Sequence, residues 1–362
     1  MPSLLPRLLD LAVAIQQIPA PTGEETARAA FVKERFAAEG LAVETDAVGN
    51  VYARLPGASS ARPVVVSAHL DTVFPANTPL AMQRDAHRIA GPGIGDNSVA
   101  VAALLGLVWL LRVENRRLPT DLWLVANVGE EGLGNLKGMK SIVARFGAQA
   151  RAYIVLEGLG LGWVYPRALG VRRYALTVRT AGGHAWANAG SPSAIHTLAA
   201  LITRLEAQQR PRETSFNVGT FHGGVSINTI APEARAEIDL RAVHADALEA
   251  LAQRLEAEAH RARQPGVEIT WEHIGDRPTG SLPLSHPLVQ AALTALRRRG
   301  LSGRTAVAST DANIPLSRGY PAICLGLTTG GGAHTLKEFI HTRPLSTGLA
   351  VLAETVVAAS RL

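Results

Sequence analysis

The chain reads as an α/β protein, a mixed sheet flanked by helices and interrupted by an inserted α+β unit, and three features predict this. Short apolar runs rich in β-branched residues, at 64–66, 122–128, 152–156 and 322–327, have the length of buried strands, with helical segments between them. Acids and histidines follow the ends of those strands, where open α/β sheets bind their ligands. Between residues 169 and 277 the order changes to strand, helix, strand, strand, helix, strand, the pattern of a ferredoxin-like sandwich.

Residues 1–19 carry apolar positions at helical spacing but are broken by Pro6, Arg7 and Asp10, which suits an amphipathic helix better than a signal-peptide core. The strand at 64–66 leads to His69 and Asp71, whose alternate spacing aims both side chains the same way. Glycines 91, 93 and 95 allow a tight turn before Asp96, and an apolar helix begins near Ser98. This turn lacks the G-x-G-x-x-G spacing of a dinucleotide site. The apolar stretch 99–111 is short of the roughly 20 residues that span a bilayer, so a buried helix is expected.

The strand at 122–128 ends in Glu130 and Glu131, and that at 152–156 in Glu157. In the insertion, strands are expected at 173–180, 215–221, 234–241 and 267–273, with helices at 193–208 and 246–263. The first fold resumes near Pro278 with a helix at 287–299, strands at 305–308 and 322–327, a flexible glycine stretch at 328–332 before His334, and a last helix at 347–361. The expected domains are 1–168 with 278–362, and 169–277.

Taken singly, each polar residue could be a turn or cap residue; taken together they suit two adjacent divalent metals. Asp96 could bridge the pair, with one histidine and one further carboxylate on each ion, a mixed nitrogen and oxygen set suited to zinc, cobalt or manganese. Asp96, Glu131 and Glu157 with a bridging hydroxide would balance two dications. Adjacent residues point apart, so of Glu130 and Glu131 one could ligate a metal while the other accepts a proton from a water the metals share.

The ordered set H-x-D, G-D-N, E-E, E-G and H-T-x-x-E-F, together with I-P-A-P-T-G-E-E at 18–25, resembles the co-catalytic zinc metallopeptidases. That family includes glutamate carboxypeptidase, aminoacylase, succinyl-diaminopimelate desuccinylase and peptidase T. The resemblance runs through nearly the whole chain and implies a zinc-exopeptidase-like catalytic domain with a ferredoxin-like lid. It implies that His69 and Glu157 hold one metal and Glu131 and His334 the other, with Asp96 bridging and followed by a cis peptide. Asp71 would orient His69, and Glu130 would be the general base. His334, rather than His341, matches the H-x-x-x-E-F pattern.

The same resemblance implies that His184 in the lid stabilises an oxyanion, that Asn228 and Arg241 contact substrate, and that Gly331 offers backbone N–H groups to a substrate carboxylate. It also implies a homodimer formed through the lid. Asn97 and Ser98 depart from the family pattern, where many members have a second acid and a lysine, and Trp186 follows the lid histidine in an unusual setting. Glu157, where family aminopeptidases tend to carry Asp, tilts the expectation toward carboxypeptidases and N-acyl-amino-acid deacylases. The expected activity is hydrolysis of the amide bond of a small peptide or N-acyl amino acid with a free carboxylate. Alternatives are a di- or tripeptide aminopeptidase and a noncatalytic peptide-binding relative.

Composition is consistent with that class. The chain has 362 residues, enough for two cores, and one cysteine, Cys324, which excludes an intrachain disulfide and fits a reducing, cytoplasmic setting. A net charge of +6 raises nucleic-acid binding, but the arginines are scattered and clustered only at 297–299, so neither nucleic acid nor membrane is expected as a partner.

Overall fold

The computed structural model describes residues 4–362, which divide into two compact units, 4–168 with 280–362, and 169–279. The first unit is built on a nine-stranded sheet. Its strands run in the order Ala42–Thr45, Val51–Leu55, Leu122–Asn127, Val64–His69, Ala152–Glu157, Ala322–Gly326, Trp163–Ala168 and Gly280–Ser281, with Arg304–Ala308 also paired to Trp163–Ala168. The four from Leu122–Asn127 to Ala322–Gly326 are mutually parallel. Both their faces are covered, which is why they read as unbroken apolar runs.

Register places the polar residues that follow these strands. His69 is level with Asn127, and Ser67 with Val155, so that two residues further on His69 comes level with Glu157. Gly326 is also level with Glu157. Strand Val64–His69 is flanked by the two strands that follow it around the central sheet, so the chain passes from one side of it to the other and leaves a crevice at the carboxyl ends.

The most apolar helix, Val99–Val113, buries 13 of its residues. It continues from a wide turn at Ile94–Ser98, so that 20 residues from Ile94 to Val113 form one run of membrane-spanning length. The regular helix is itself 15 residues, short of a span as expected, and the irregular turn at its amino end supplies the other five. That run is 94% buried inside the fold, the burial of a core helix. The last helix, Pro344–Ala359, starts three residues before its expected position because Pro344 sits in its first turn, where a missing N–H costs nothing. Pro6 is tolerated for the same reason in helix Leu4–Gln16.

A further correction concerns the glycine stretch before His334. Gly330–Gly331 forms a short strand paired with Phe339–His341, which pairs in turn with Arg88–Ala90. A Cβ on Gly330 would lie 2.1 Å from the Phe339 carbonyl oxygen, so glycine permits close pairing here and not looseness.

The second unit has an antiparallel sheet in the order Thr214–Gly223, Glu233–Ala242, Gly170–Thr180, Val267–Arg277. Helices Ala194–Ala207 and Ala245–Arg261 pack against it around a separate core that includes Leu176, Leu198, Ile238 and Leu255. Strand Glu233–Ala242 alternates buried and more exposed residues, the period-two signature of a sheet with one covered face. Thr214–Gly223 is an edge strand.

Candidate metal centre

His69 is the last residue of its strand and is 2% exposed. Its Nε2 lies 3.2 Å from one carboxylate oxygen of Asp96 and 3.6 Å from Glu157. The other oxygen of Asp96 is 3.0 Å from His334 Nε2, which is also 3.1 Å from Glu131. Asp96 thus stands between two imidazoles, with Glu157 on the His69 side and Glu131 on the His334 side. Donor atoms of His69, Asp96 and Glu131 all lie within 4.8 Å of one another.

The charges record this crowding. Burial alone would lower the His69 imidazolium, yet hydrogen bonds to Asp71, Asp96 and Glu157 hold it well above the usual histidine range. Hydrogen bonds to Asp96 and Glu131 lift His334 to about 10. Burial opposes ionisation of Asp96, but the two histidines hold it well below the usual carboxylate range. Burial pushes Glu157 up to about 7, and repulsion from Asp96 and Asp311 adds to this against the pull of His69. Two imidazoles and three carboxylates converging in this way form a donor set that fits a pair of divalent cations.

Asp71 does more than stand beside His69. The ring nitrogen of His69 that faces away from Asp96 bonds the Asp71 backbone carbonyl at 3.0 Å, while the carboxylate is 3.6 Å away. That carboxylate accepts the amides of Glu130 at 3.0 Å and Glu131 at 2.8 Å, and the Thr22 hydroxyl at 2.9 Å. It therefore holds the Glu130–Glu131 turn in place beside the His69 ring, which the Asp71 main chain also bonds. Burial is outweighed by His69 and these amides, so Asp71 falls to about 2. Its folded value lies below the ordinary 3.8, so its contribution of about 2 kcal/mol is present above that pH and lost as pH falls through about 2. Asp71→Ala, which leaves two buried amides unsatisfied, is expected to cost about 2–4 kcal/mol, read from the urea midpoint.

Five further residues shape the site through contacts that the sequence does not announce. Asn97 donates to the Leu156 carbonyl at 2.9 Å and accepts the Gly158 amide at 2.8 Å, tying the end of the Glu157 strand to the Asp96 turn. The Asp96–Asn97 peptide is cis. A Cβ on Gly158 would lie 1.9 Å from the Gly95 carbonyl oxygen, so the glycine after Glu157 is what allows that approach. Arg28, 2% exposed, donates to the carbonyls of Ile18 and Leu70 and so fastens the turn between His69 and Asp71. Asp311, fully buried, accepts from Asn127 at 2.7 Å. Glu338, also fully buried, accepts the amides of Gly93, Gly95 and Asp96 and is pushed up to about 7 by burial. Glu338 carried a signal, its fixed place four residues after His334.

His341 stands apart from these acids and bonds Thr329 at 3.0 Å. Glu130 is buried, 5% exposed. Cys324 is fully buried and burial pushes its thiol well above the ordinary range, so it is not a nucleophile. Gly331 pairs with Phe339.

The remaining predicted residues belong to the second unit. His184 accepts the amides of Trp186 at 3.1 Å and Ala187 at 3.3 Å on Nδ1, so the neutral ring carries its proton on Nε2 and presents a donor. Asn228 accepts the Ser226 hydroxyl on its side-chain oxygen, and its carbonyl takes the Ala185 amide. Arg241 donates to Asp239 at 2.7 Å, and Arg173 donates to the same carboxylate at 3.0 Å. Asp239 thus accepts from two guanidinium groups. Trp186 is 87% exposed.

Residues 65–358 match the family described as Peptidase family M20/M25/M40. A peptidase M20 domain-containing protein of Schizosaccharomyces pombe is 30% identical over 258 residues, 66% of this chain, which spans 62% of that relative. Among solved structures, a tripeptidase from Staphylococcus aureus superposes with a TM-score of 0.85 at 24% identity, over 99% of both chains. A dinuclear metal-binding peptidase of Bacillus subtilis superposes with a TM-score of 0.71 at 16% identity, over 99% of this chain and 98% of that one. At these identities the two structures show a shared fold.

Proposed function

Because the chain belongs to peptidase family M20/M25/M40 and is a hydrolase, we propose that it cleaves the amide bond of a small peptide or N-acyl amino acid with a free carboxylate, using two divalent metals. The observation that carries this reading is Asp96, flanked on its two oxygens by His69 and His334 at 3.2 and 3.0 Å. His69 and Glu157 would hold one ion, Glu131 and His334 the other, with Asp96 shared. When bound, zinc, cobalt or manganese supplies polarisation of the scissile carbonyl and acidification of water.

The chain's own groups do the rest. Glu130 takes a proton from the attacking water and returns it to the leaving nitrogen. His184, with Nε2 protonated, donates to the carbonyl oxygen as it becomes negative. Asn228, Arg241 and the Gly331 backbone receive the substrate carboxylate, the guanidinium being suited to it through paired hydrogen bonds. The inserted unit serves as a lid and joins two chains into a dimer, and the protein works in the cytoplasm.

The test is mass-spectrometric turnover of pooled dipeptides, tripeptides and N-acyl amino acids by chelated enzyme and by enzyme resupplied with each metal. Cleavage that needs metal and a free substrate carboxylate supports the proposal. A requirement for a free amine instead would make the protein an aminopeptidase, and no turnover with any metal would favour a noncatalytic peptide binder. Light scattering is expected to show a dimer at micromolar concentration; a monomer would sink the dimer assignment.

A further inference from the structure

We propose that Glu338 is a positioning residue whose carboxylate gathers the amides of Gly93, Gly95 and Asp96 and thereby holds Asp96 where both imidazoles reach it. This rests on the two-metal reading above and adds a residue to which neither ion nor substrate is assigned.

One carboxylate oxygen of Glu338 accepts the Gly95 amide at 2.6 Å and the Asp96 amide at 2.7 Å, and the other accepts the Gly93 amide at 3.0 Å. The Glu338 carbonyl takes the Gly91 amide at 2.9 Å, so one residue satisfies four N–H groups of a turn more than 240 residues away in sequence. Among the described residues no lysine, arginine or histidine pairs with this fully buried carboxylate. Burying a carboxylate against amides alone is costly, and a turn that needed only stability could be closed by neutral groups. Three converging N–H groups instead form a concave nest that demands an acceptor with two oxygens.

The local sequence is suited to this grip. Gly93 has φ 74°, a left-handed conformation that turns its amide toward the carboxylate. A Cβ on Gly95 would lie 3.1 Å from the Glu338 oxygen and 3.0 Å from Leu159, so a side chain there would press on the clamp. His334 lies four residues before Glu338, and its ring touches the Asp96 carboxylate while Glu338 holds the Asp96 amide. One short segment therefore sets both an imidazole and the acid it shares. Both residues belong to the first unit.

The test is calorimetric titration of chelated full-length protein with zinc, together with kcat and KM of the zinc-loaded enzyme. Glu338→Gln keeps the volume but turns an NH2 group onto an amide N–H. It is expected to weaken zinc binding about 10–100-fold and to lower kcat with little change in KM, the far-UV circular dichroism remaining that of the wild type. Should that variant fail to fold, Gly95→Ala, which leaves Glu338 in place and crowds its oxygen, is expected to weaken zinc in the same direction. Ile340→Val, a fully buried change in the same segment, separates positioning from stability: it should lower Tm and leave zinc affinity unchanged. Wild-type zinc affinity in a folded Glu338→Gln or Gly95→Ala variant, or equal weakening by Ile340→Val, overturns the inference and leaves the two-metal reading standing. A wild-type protein that binds no zinc overturns both.

Discussion

Glu130→Gln is expected to fold, to bind the same number of metal equivalents as the wild type, and to lose about 10²–10⁴-fold in kcat with KM nearly unchanged. The reason lies in the paired glutamates after strand Leu122–Asn127. The Glu131 carboxylate reaches His334, while the amides of both glutamates are held by Asp71. Replacing the Glu130 carboxylate by an amide removes a proton acceptor and disturbs neither that backbone grip nor the His334 contact. Glu131→Gln provides the contrast, since it should weaken metal binding as well as turnover. Single-turnover kinetics at saturating zinc, with bound metal measured on the same samples, separates the two. A Glu130→Gln enzyme within threefold of wild type would remove Glu130 from the role of base.

Chelation is expected to reduce turnover to background, and restoring the metal should release at least two protons per chain near neutral pH. Without metal, His69 is held well above its ordinary value and His334 at about 10, so both rings are protonated at pH 7. A ligating imidazole must be neutral, so each ring gives up its proton on binding. Glu157, near 7, adds a fraction of a third proton. Raising the pH removes such protons beforehand, so apparent zinc affinity should climb with pH, the His334 share of the rise ending once pH passes about 10. Titration calorimetry in two buffers of different ionisation enthalpy counts the protons directly. Binding with no proton release would contradict the pairing of both histidines with these acids. Metal should also protect the fold: at zinc a hundredfold above its dissociation constant, stability should rise by about 2.7 kcal/mol, visible as a higher Tm.

Much of the architecture was legible because the physics that sets it is local. The β-branched runs before His69, Glu130 and Glu157 are strands since a parallel sheet covered on both faces tolerates little else there. The period-two pattern of Glu233–Ala242 marks a sheet with one covered face. Local pattern was less informative where an element depends on its neighbours. The Ile94–Ser98 turn prolongs the apolar helix because Glu338, far along the chain, ties down its first amides. Gly330–Gly331 is a strand because Phe339–His341 lies beside it, which no property of the five small residues 328–332 could announce.

The site divides along the same line. The residue types, their order and their positions after strand ends belong to the sequence, because donors that suit a divalent cation are few and strand ends are where a parallel sheet can present them. The sequence also determines that glycine must follow Glu157, although the reason appears only where Gly158 meets Gly95. Tertiary structure alone decided that Asp71 also holds the Glu130 and Glu131 amides, that Asn97 ties the end of the Glu157 strand to the Asp96 turn, and that Arg28 and Glu338 are buried beneath the turns they hold. Each of these is a hydrogen bond from a side chain to a distant main-chain group. Main-chain groups are alike at every position, so no pattern of residue types reveals which of them a buried carboxylate, amide or guanidinium will find once the sheet has closed.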